Sequence, residues 1–438
     1  MNGTEIISRL KRLGDVSCAK DIKQLTAALF PGAHCPLMGA MMAVGGIEDA
    51  VLLVLGTDEC AYYTKKATIG GFSFEGIDNR CFSVVLDHHD VTFGCREKLQ
   101  EAFKELMKDI APKAVFLVTT CVLEVTGDDV DSMAEELETL YQIPVLPVHT
   151  EHFKTANHIP GVRDTVTACG SMMEQVSEEK VNNKKVNIIG QRMGRFQETQ
   201  LYDVLVKHDI EIGMMLPGGT TLAAIRQAAT AGVNIVVNEL GLPLAKKMQT
   251  QFGTPYVMFD KYVAPEHVLQ AYKELFGYLG IAMDEKLEAM HRECVQLAEE
   301  AKETLSGMKY VYGNTALSCY EYNAFMVSMG MEPLLIQTND YPGADDAYVK
   351  RILEKYNPYV TKSANIAPLQ YVYDELKPNL YLGHEYENRL RAKKIALVHD
   401  SNLSSMLGFD VTKAVIAELV RAARDAKELA AGEGGSER

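Results

Sequence analysis

The chain has 438 residues, and its 44 Lys plus Arg against 59 Asp plus Glu leave a net charge of −15. That length predicts about three domains, and a composition of 47% apolar and 24% charged residues excludes a disordered, collagen-like or coiled-coil architecture. The acidic balance argues against nucleic acid or an anionic membrane as partner, since both require a positive footprint.

Residues 1–13 are polar, carry Lys11 and Arg12, and lack the apolar stretch of a signal peptide. The longest apolar runs, such as 51–55 and 114–118, are too short to span a bilayer. A cytoplasmic location is therefore expected. In a reducing compartment the nine cysteines are expected to be metal ligands, catalytic groups or buried small hydrophobes rather than disulfides.

Short apolar runs alternate with amphipathic helical stretches along the whole chain. Predicted strands are 51–56, 114–120, 145–148, 186–190, 212–216, 234–237, 256–259, 309–313, 333–337, 380–383 and 395–399. Most are continuous rather than alternating, as in parallel strands buried on both faces. Within 97–110, Leu99, Phe103, Leu106 and Ile110 recur three or four apart and make one helix face. The alternation predicts an α/β chain of three doubly wound domains with mainly parallel sheets. The polar stretch 177–185 (SEEKVNNKK) is read as the linker closing a first domain, 1–185. The strand-free stretch 285–305 is read as a connecting helix that ends a second domain, 186–305. A third domain spans 306–438, with the Gly-rich tail 432–438 expected to be disordered.

Open α/β sheets bind ligands beyond the carboxyl ends of their strands. The loops to inspect are 57–60, 121–129, 191–196, 217–221, 238–241, 318–322, 384–386 and 400–404. No Walker loop, G-x-G-x-x-G after a strand, H-E-x-x-H, C-x-x-C or G-x-S-x-G occurs. No bound nucleotide, ordinary zinc site or hydrolase elbow is expected.

Cys60 follows one predicted strand in VLLVLGTDEC, Cys121 follows another in AVFLVTTC, and Cys35 lies in the turn PGAHCPLMGA. Iron–sulfur clusters need thiolates from separate rigid segments that converge on one point. Adjacent strand ends supply such segments, and the helices that follow direct positive N-termini toward an anionic cluster. Thr126 and Asp129 are spaced as a capping box for the helix beyond Cys121. Buried small hydrophobes are the other reading of these cysteines.

Cys35 in CPLMGA, Cys60 in GTDECAYY, Phe93-Gly94 in DVTFGC and Cys121 in TTCVLEVTGDD together resemble the signature of the nitrogenase component 1 superfamily. The T-T-C-x-x-E-x-x-G-D-D string is most similar to the beta-type subunit of the molybdenum–iron protein. The segments VHTEHFKTANHIPG, VNIIGQRMG and LAKKMQTQFGTPY fit the same pattern. The resemblance is strongest over 30–165 and weak beyond roughly residue 310.

The resemblance implies an iron–sulfur cluster at a subunit interface, with Cys35, Cys60 and Cys121 as ligands. The cluster would be a [4Fe–4S] or half of a P-cluster-like [8Fe–7S] group. A fourth ligand would come from a partner chain, Cys95, Asp58 or His34. Cys95 stands where the family usually has glycine, and is read as an accident or an extra thiolate. Electrons would arrive from an ATP-dependent iron protein docking near 124–129 and the His88-His89-Asp90 loop. The two histidines are read as solvated rather than metal-binding. Alpha-type subunits hold a large metallocluster with a Cys in a domain-two loop and a His in domain three. The corresponding loop here, 234–243 (NIVVNELGLP), has no Cys. Cys319, His384 and His399 lie at strand ends of the third domain and are read as packing or satisfied loop residues. Cys18, Cys81, Cys169 and Cys294 are read as packing too.

The expected function is therefore a subunit of a nitrogenase-like oxidoreductase. It would relay low-potential electrons to a site of C–S, tetrapyrrole or N2-type reduction, paired with an alpha-type subunit or with itself. The alternatives are a scaffold for metallocluster assembly and a non-redox α/β protein that binds a small molecule.

Overall fold

The structure is a computed structural model that describes all residues except 1, 27–33, 70–76, 78, 156, 192–194, 314, 316, 363–365, 400–402 and 433–438. The strands, in chain order, are β1 Lys11–Arg12, β2 Ala50–Gly56, β3 Cys81–Val85, β4 Ala114–Thr119, β5 Val145–Val148, β6 Asn182–Ile189 and β7 Glu211–Leu216. They continue with β8 Ala231–Val236, β9 Tyr256–Met258, β10 Lys309–Tyr312, β11 Glu332–Gln337, β12 Tyr359–Thr361, β13 Leu380–Leu382 and β14 Ala396–Val398.

The first sheet runs β3-β2-β4-β5, and every pairing in it is parallel. Helices cover both faces, so β2 and β4 are buried at every position. Leu52, Val54 and Phe116 face one core, shared with Leu37 and Met41 of the helix Pro36–Gly45. Val51, Leu53 and Leu117 face the other, against Leu99 and Phe103 of the helix Arg96–Asp109. The expected face of that helix closes with Leu106, while Ile110 lies beyond its end and is exposed. Strand order reverses between β2 and β4, because the chain passes from β2 outward to β3 and then returns to the other side of β2. The loops leaving β2 and β4 part to opposite faces there and open a crevice at the carboxyl edge.

The second sheet, β7-β6-β8-β9, is also parallel and reverses between β6 and β8. The third runs β1-β12-β11-β10-β13-β14, with β1 alone antiparallel and the reversal between β10 and β13. The helix Glu285–Leu305 has Asp284 as N-cap and packs along the C-terminal helix Phe409–Ala431.

The N-terminal segment departs from the expected 1–185 unit. Lys11 and Arg12 pair with Val360 and Tyr359 at the edge of the third sheet. The Arg12 guanidinium lies 4.0 Å from the Tyr359 ring centroid. Ile6, Leu10 and Leu25 join Leu369, Val372 and Tyr373 in one apolar cluster. Residues 3–25 therefore fold with the end of the chain. Residues 433–438, most of the expected tail, lie outside the described residues, as do parts of the loops 191–196 and 400–404.

Candidate functional site

The crevice between β2 and β4 is where the cysteines gather. Cys121 is the first residue of the helix Cys121–Thr126, directly beyond β4. Cys60 is the third residue of the helix Asp58–Ile69, beyond β2. Cys35 is the N-cap of the helix Pro36–Gly45, whose proline at the first position suits a helix start. All three are half-buried. Burial pushes the Cys35 thiol above its ordinary value, and negative charge on Cys60 and Cys121 acts in the same direction, so the three lie within electrostatic reach. The backbone N–H groups of Met38 and Leu37 point to the Cys35 sulfur and oppose that rise.

Glycines permit this approach. A Cβ on Gly56, the last residue of β2, would lie 2.6 Å from Thr120 Oγ1 and 3.2 Å from Cys60 Cβ. A Cβ on Gly39 or Gly161 would collide with the carbonyl oxygen of His158 or Pro36, where the helices Pro36–Gly45 and Ile159–Ala168 cross. That crossing fixes the height of Cys35.

The segment leaving β5 wraps the Cys121 helix. His152 N donates to Cys121 Sγ at 3.2 Å, and Thr150 Oγ1 donates to Thr119 O at 2.5 Å. Glu124 Oε1 accepts from Thr119 Oγ1 at 2.7 Å and from His149 Nδ1 at 2.6 Å. His149 Nε2 faces Asp131 at 3.3 Å, and Lys154 pairs with Glu151 at 2.6 Å. Burial works against a charge on His149, but the carboxylates of Glu124 and Asp131 outweigh it and hold its pKa above the ordinary histidine value. The expected Thr126–Asp129 capping box takes another form. Gly127, with φ of 79°, ends the first helix, and Asp129 accepts from Ser132 N at 3.0 Å to cap the helix Val130–Tyr141.

Of the other candidates, Cys95 and those of the third domain are placed apart from this point, while His34 and Asp58 adjoin Cys35 and Cys60. Cys95 is fully buried in the core on the opposite face of the sheet, among Leu99, Phe103 and Leu123. Burial, then the neighbouring Asp128, pushes its thiol up to about 11. It is a packing residue, which its place one position before the helix Arg96–Asp109 did not reveal. His34 is exposed, with Nδ1 at 2.9 Å from Tyr63 Oη, and Asp58 is exposed at the start of its helix. His88 and His89 open a short helix, His88–Phe93, capped by Asp87, rather than a loop. Cys319 begins the helix Cys319–Ser328 in the third domain, its thiol pushed up to about 12 by burial. His384 and His399 are exposed.

A second set of groups escaped the sequence reading. Glu239 follows β8, Asp260 follows β9 and Asp340 follows β11, so the acids meet where the carboxyl edges of the second and third sheets face each other. Burial, reinforced by Asp340, raises the Glu239 pKa. Asp260 is pushed up to about 7 by burial, with Glu239 and Glu321 adding to the rise. Glu321, wholly buried, accepts from Val263 N at 3.0 Å, Ala264 N at 2.9 Å and His267 Nδ1 at 2.8 Å. A single acid after a strand reads like a solvated cap, so only the three-dimensional meeting marks these residues.

Among the described residues no three His, Cys, Asp or Glu side chains surround one point closely enough for a single ion. An iron–sulfur cluster is larger and takes thiolates from separated segments. Three half-buried cysteines at three helix starts fit that requirement. So does the buried Thr120 hydroxyl beside them, which has no partner among the described residues.

A profile of the nitrogenase component 1 type oxidoreductases matches residues 35–422, and the chain belongs to that family. Among its relatives is the nitrogenase iron-molybdenum cofactor biosynthesis protein NifE of Clostridium pasteurianum, 30% identical over 58% of this chain and 56% of that protein. NifE of Rippkaea orientalis is 24% identical over 85% of this chain and 81% of its own. The nitrogenase molybdenum-iron protein alpha chain of Methanosarcina barkeri is 25% identical over 70% of this chain and 61% of that one. The matches to NifE of Clostridium pasteurianum and of Methanosarcina barkeri span less than two thirds of those proteins, 56% and 61%. The solved structure titled nitrogenase Cp1 at pH 6.5 superposes with a TM-score of 0.76 at 17% identity, covering 92% of this chain and 94% of its own. The α/β architecture of parallel-strand sheets is thus that of nitrogenase component 1. Among the described residues no helix is long and apolar enough to cross a membrane.

Proposed function

We propose that this chain is a nitrogenase-like scaffold subunit that holds an iron–sulfur cluster at Cys35, Cys60 and Cys121 while a metallocluster is assembled, and passes the product to an acceptor protein. The convergence of three half-buried cysteines at one sheet edge, in a chain related to proteins named for cofactor biosynthesis, carries this reading. When bound, the cluster would supply one-electron redox capacity. The chain's own groups hold it: helix N-termini face the sulfurs, His152 N–H and the Met38 and Leu37 amides offset thiolate charge, and the apolar residues Leu37 and Met38 limit water. Exposed Tyr62, Phe93, Val125 and Phe153 border the cysteine segments and support a shared face with a sister subunit, which would complete the ligand set. An ATP-dependent iron protein is the expected electron source.

A second reading, an electron-relaying subunit of a reductase, is favoured by the similarity to the molybdenum-iron protein alpha chain. Anaerobic reconstitution with ferrous iron and sulfide separates the readings. The scaffold is expected to bind iron and sulfide, to lose them on Cys60→Ala or Cys121→Ala, and to transfer cluster to an acceptor without ATP-coupled substrate reduction. Sustained turnover with an iron protein would instead establish the relay. A colourless, iron-free chain would leave the plain binding protein.

A further inference from the structure

Thr120 separates the last residue of β4 from Cys121 and is only 3% exposed. It occupies the N-cap position with an extended backbone, φ −121° and ψ 177°. A threonine there usually turns its hydroxyl back onto the helix amides. This one does not: no side-chain cap bond forms, and Leu123 N and Glu124 N are met by the Thr120 carbonyl instead. The hydroxyl is buried and has no partner among the described residues. It lies instead against Gly56, where an added Cβ would be 2.6 Å from Thr120 Oγ1 and 3.2 Å from Cys60 Cβ. The hydroxyl therefore sits where the Cys121 segment meets the one that carries Cys60.

A buried donor without an acceptor destabilises the fold that contains it. Its position points to an acceptor that arrives after folding. Thiolate and sulfide sulfurs are acceptors of that kind, and the neighbouring cysteines would bring them to this spot. We propose that the Thr120 hydroxyl donates a hydrogen bond to the sulfur set of the cluster held at Cys35, Cys60 and Cys121, and thereby raises its reduction potential and slows its loss. This rests on the cluster reading above. Donation to sulfur favours the more negative, reduced form of a cluster, so its removal shifts the potential downward.

Thr120→Val removes the hydroxyl and keeps the branched shape, while Thr120→Ser keeps the hydroxyl and loses the methyl. Each variant and the wild type are reconstituted anaerobically with ferrous iron and sulfide. The melting temperature of the cluster-free chain, the midpoint potential followed by electron paramagnetic resonance, and the rate of iron loss to a chelator are then measured. The Val variant is expected to melt above wild type when cluster-free, to hold its cluster at a more negative potential, and to lose iron several-fold faster. The Ser variant should keep the wild-type potential. A Val variant with unchanged potential and unchanged iron loss overturns the proposal. So does a Ser variant whose potential moves as far as the Val variant's, which would show a packing effect. A wild-type chain that takes up no cluster overturns the cluster reading itself and, with it, this proposal.

Discussion

Gly161 is a residue whose whole role lies in what it lacks. Its Cα passes so close to the Pro36 carbonyl that an added methyl has no room, and both atoms are backbone, so neither side yields cheaply. Gly161→Ala is expected to destabilise the chain by about 1–3 kcal/mol and to reduce iron uptake, because the helix that starts at Cys35 must shift. Urea denaturation and iron analysis of the reconstituted variant check both. Asp260 gives a residue-scale prediction of a different kind. Its pKa rises from the ordinary carboxylate range to about 7 on folding. The stability linked to a raised acid is present below its unfolded value, about 3.9, and is lost as pH climbs through 7. Asp260→Asn should therefore gain on the wild type in urea midpoint between pH 5 and pH 8, and a pH-independent difference would refute the burial of this carboxylate. The cysteines at strand ends were legible because strand position and residue type coincide there. Cys95 was not, since whether a residue beside a helix start faces the crevice or the opposite core depends on which face the next helix covers.

The short helix Cys121–Thr126 has only six residues, too few to persist alone. It is held from both sides: Thr119 and His149 grip Glu124 at its centre, and Gly127 ends it in the left-handed region. His149 carries its charge to higher pH than an ordinary histidine, so its contribution is fully present below about pH 6.5 and fades as pH rises through its raised value. The protection of the 121–131 amides, measured relative to their intrinsic base-catalysed exchange rates, should fall over that rise in the wild type. In His149→Gln it should be weaker at low pH and nearly independent of pH; equal pH profiles would show that the ion pairs do not hold the helix. At this scale the buried strands were plain in the sequence, since a strand covered on both faces must be apolar throughout. β3 was hidden because it is an edge strand with an exposed side. β1 and β12, of two and three residues, are defined by their partners rather than by any pattern of their own.

The second and third sheets are joined through Glu321, which reaches from the helix Cys319–Ser328 to two backbone amides and His267 at the start of the helix Pro265–Leu279. Thr412 Oγ1 adds a bond to Val263 O at 2.7 Å. Glu321→Ala would strand two buried N–H groups at a cost of about 1–3 kcal/mol each. Calorimetry is expected to resolve the unfolding of the variant into two steps where the wild type shows one. A single unshifted transition would mean that the two units are coupled elsewhere. None of this interface was readable from local pattern, because its partners lie 54 to 149 positions apart. The N-terminal segment takes that separation to its limit. Lys11 waits for Val360, some 350 positions further on. At a synthesis rate of about 5–20 residues per second, the segment spends roughly 20–70 s without its partner strand. During that interval Ile6, Leu10 and Leu25 lack the cluster that later buries them. The nascent chain therefore emerges with its seal first and its socket last, and its first apolar segment is left open to solvent or to a holding chaperone until the third sheet has been made.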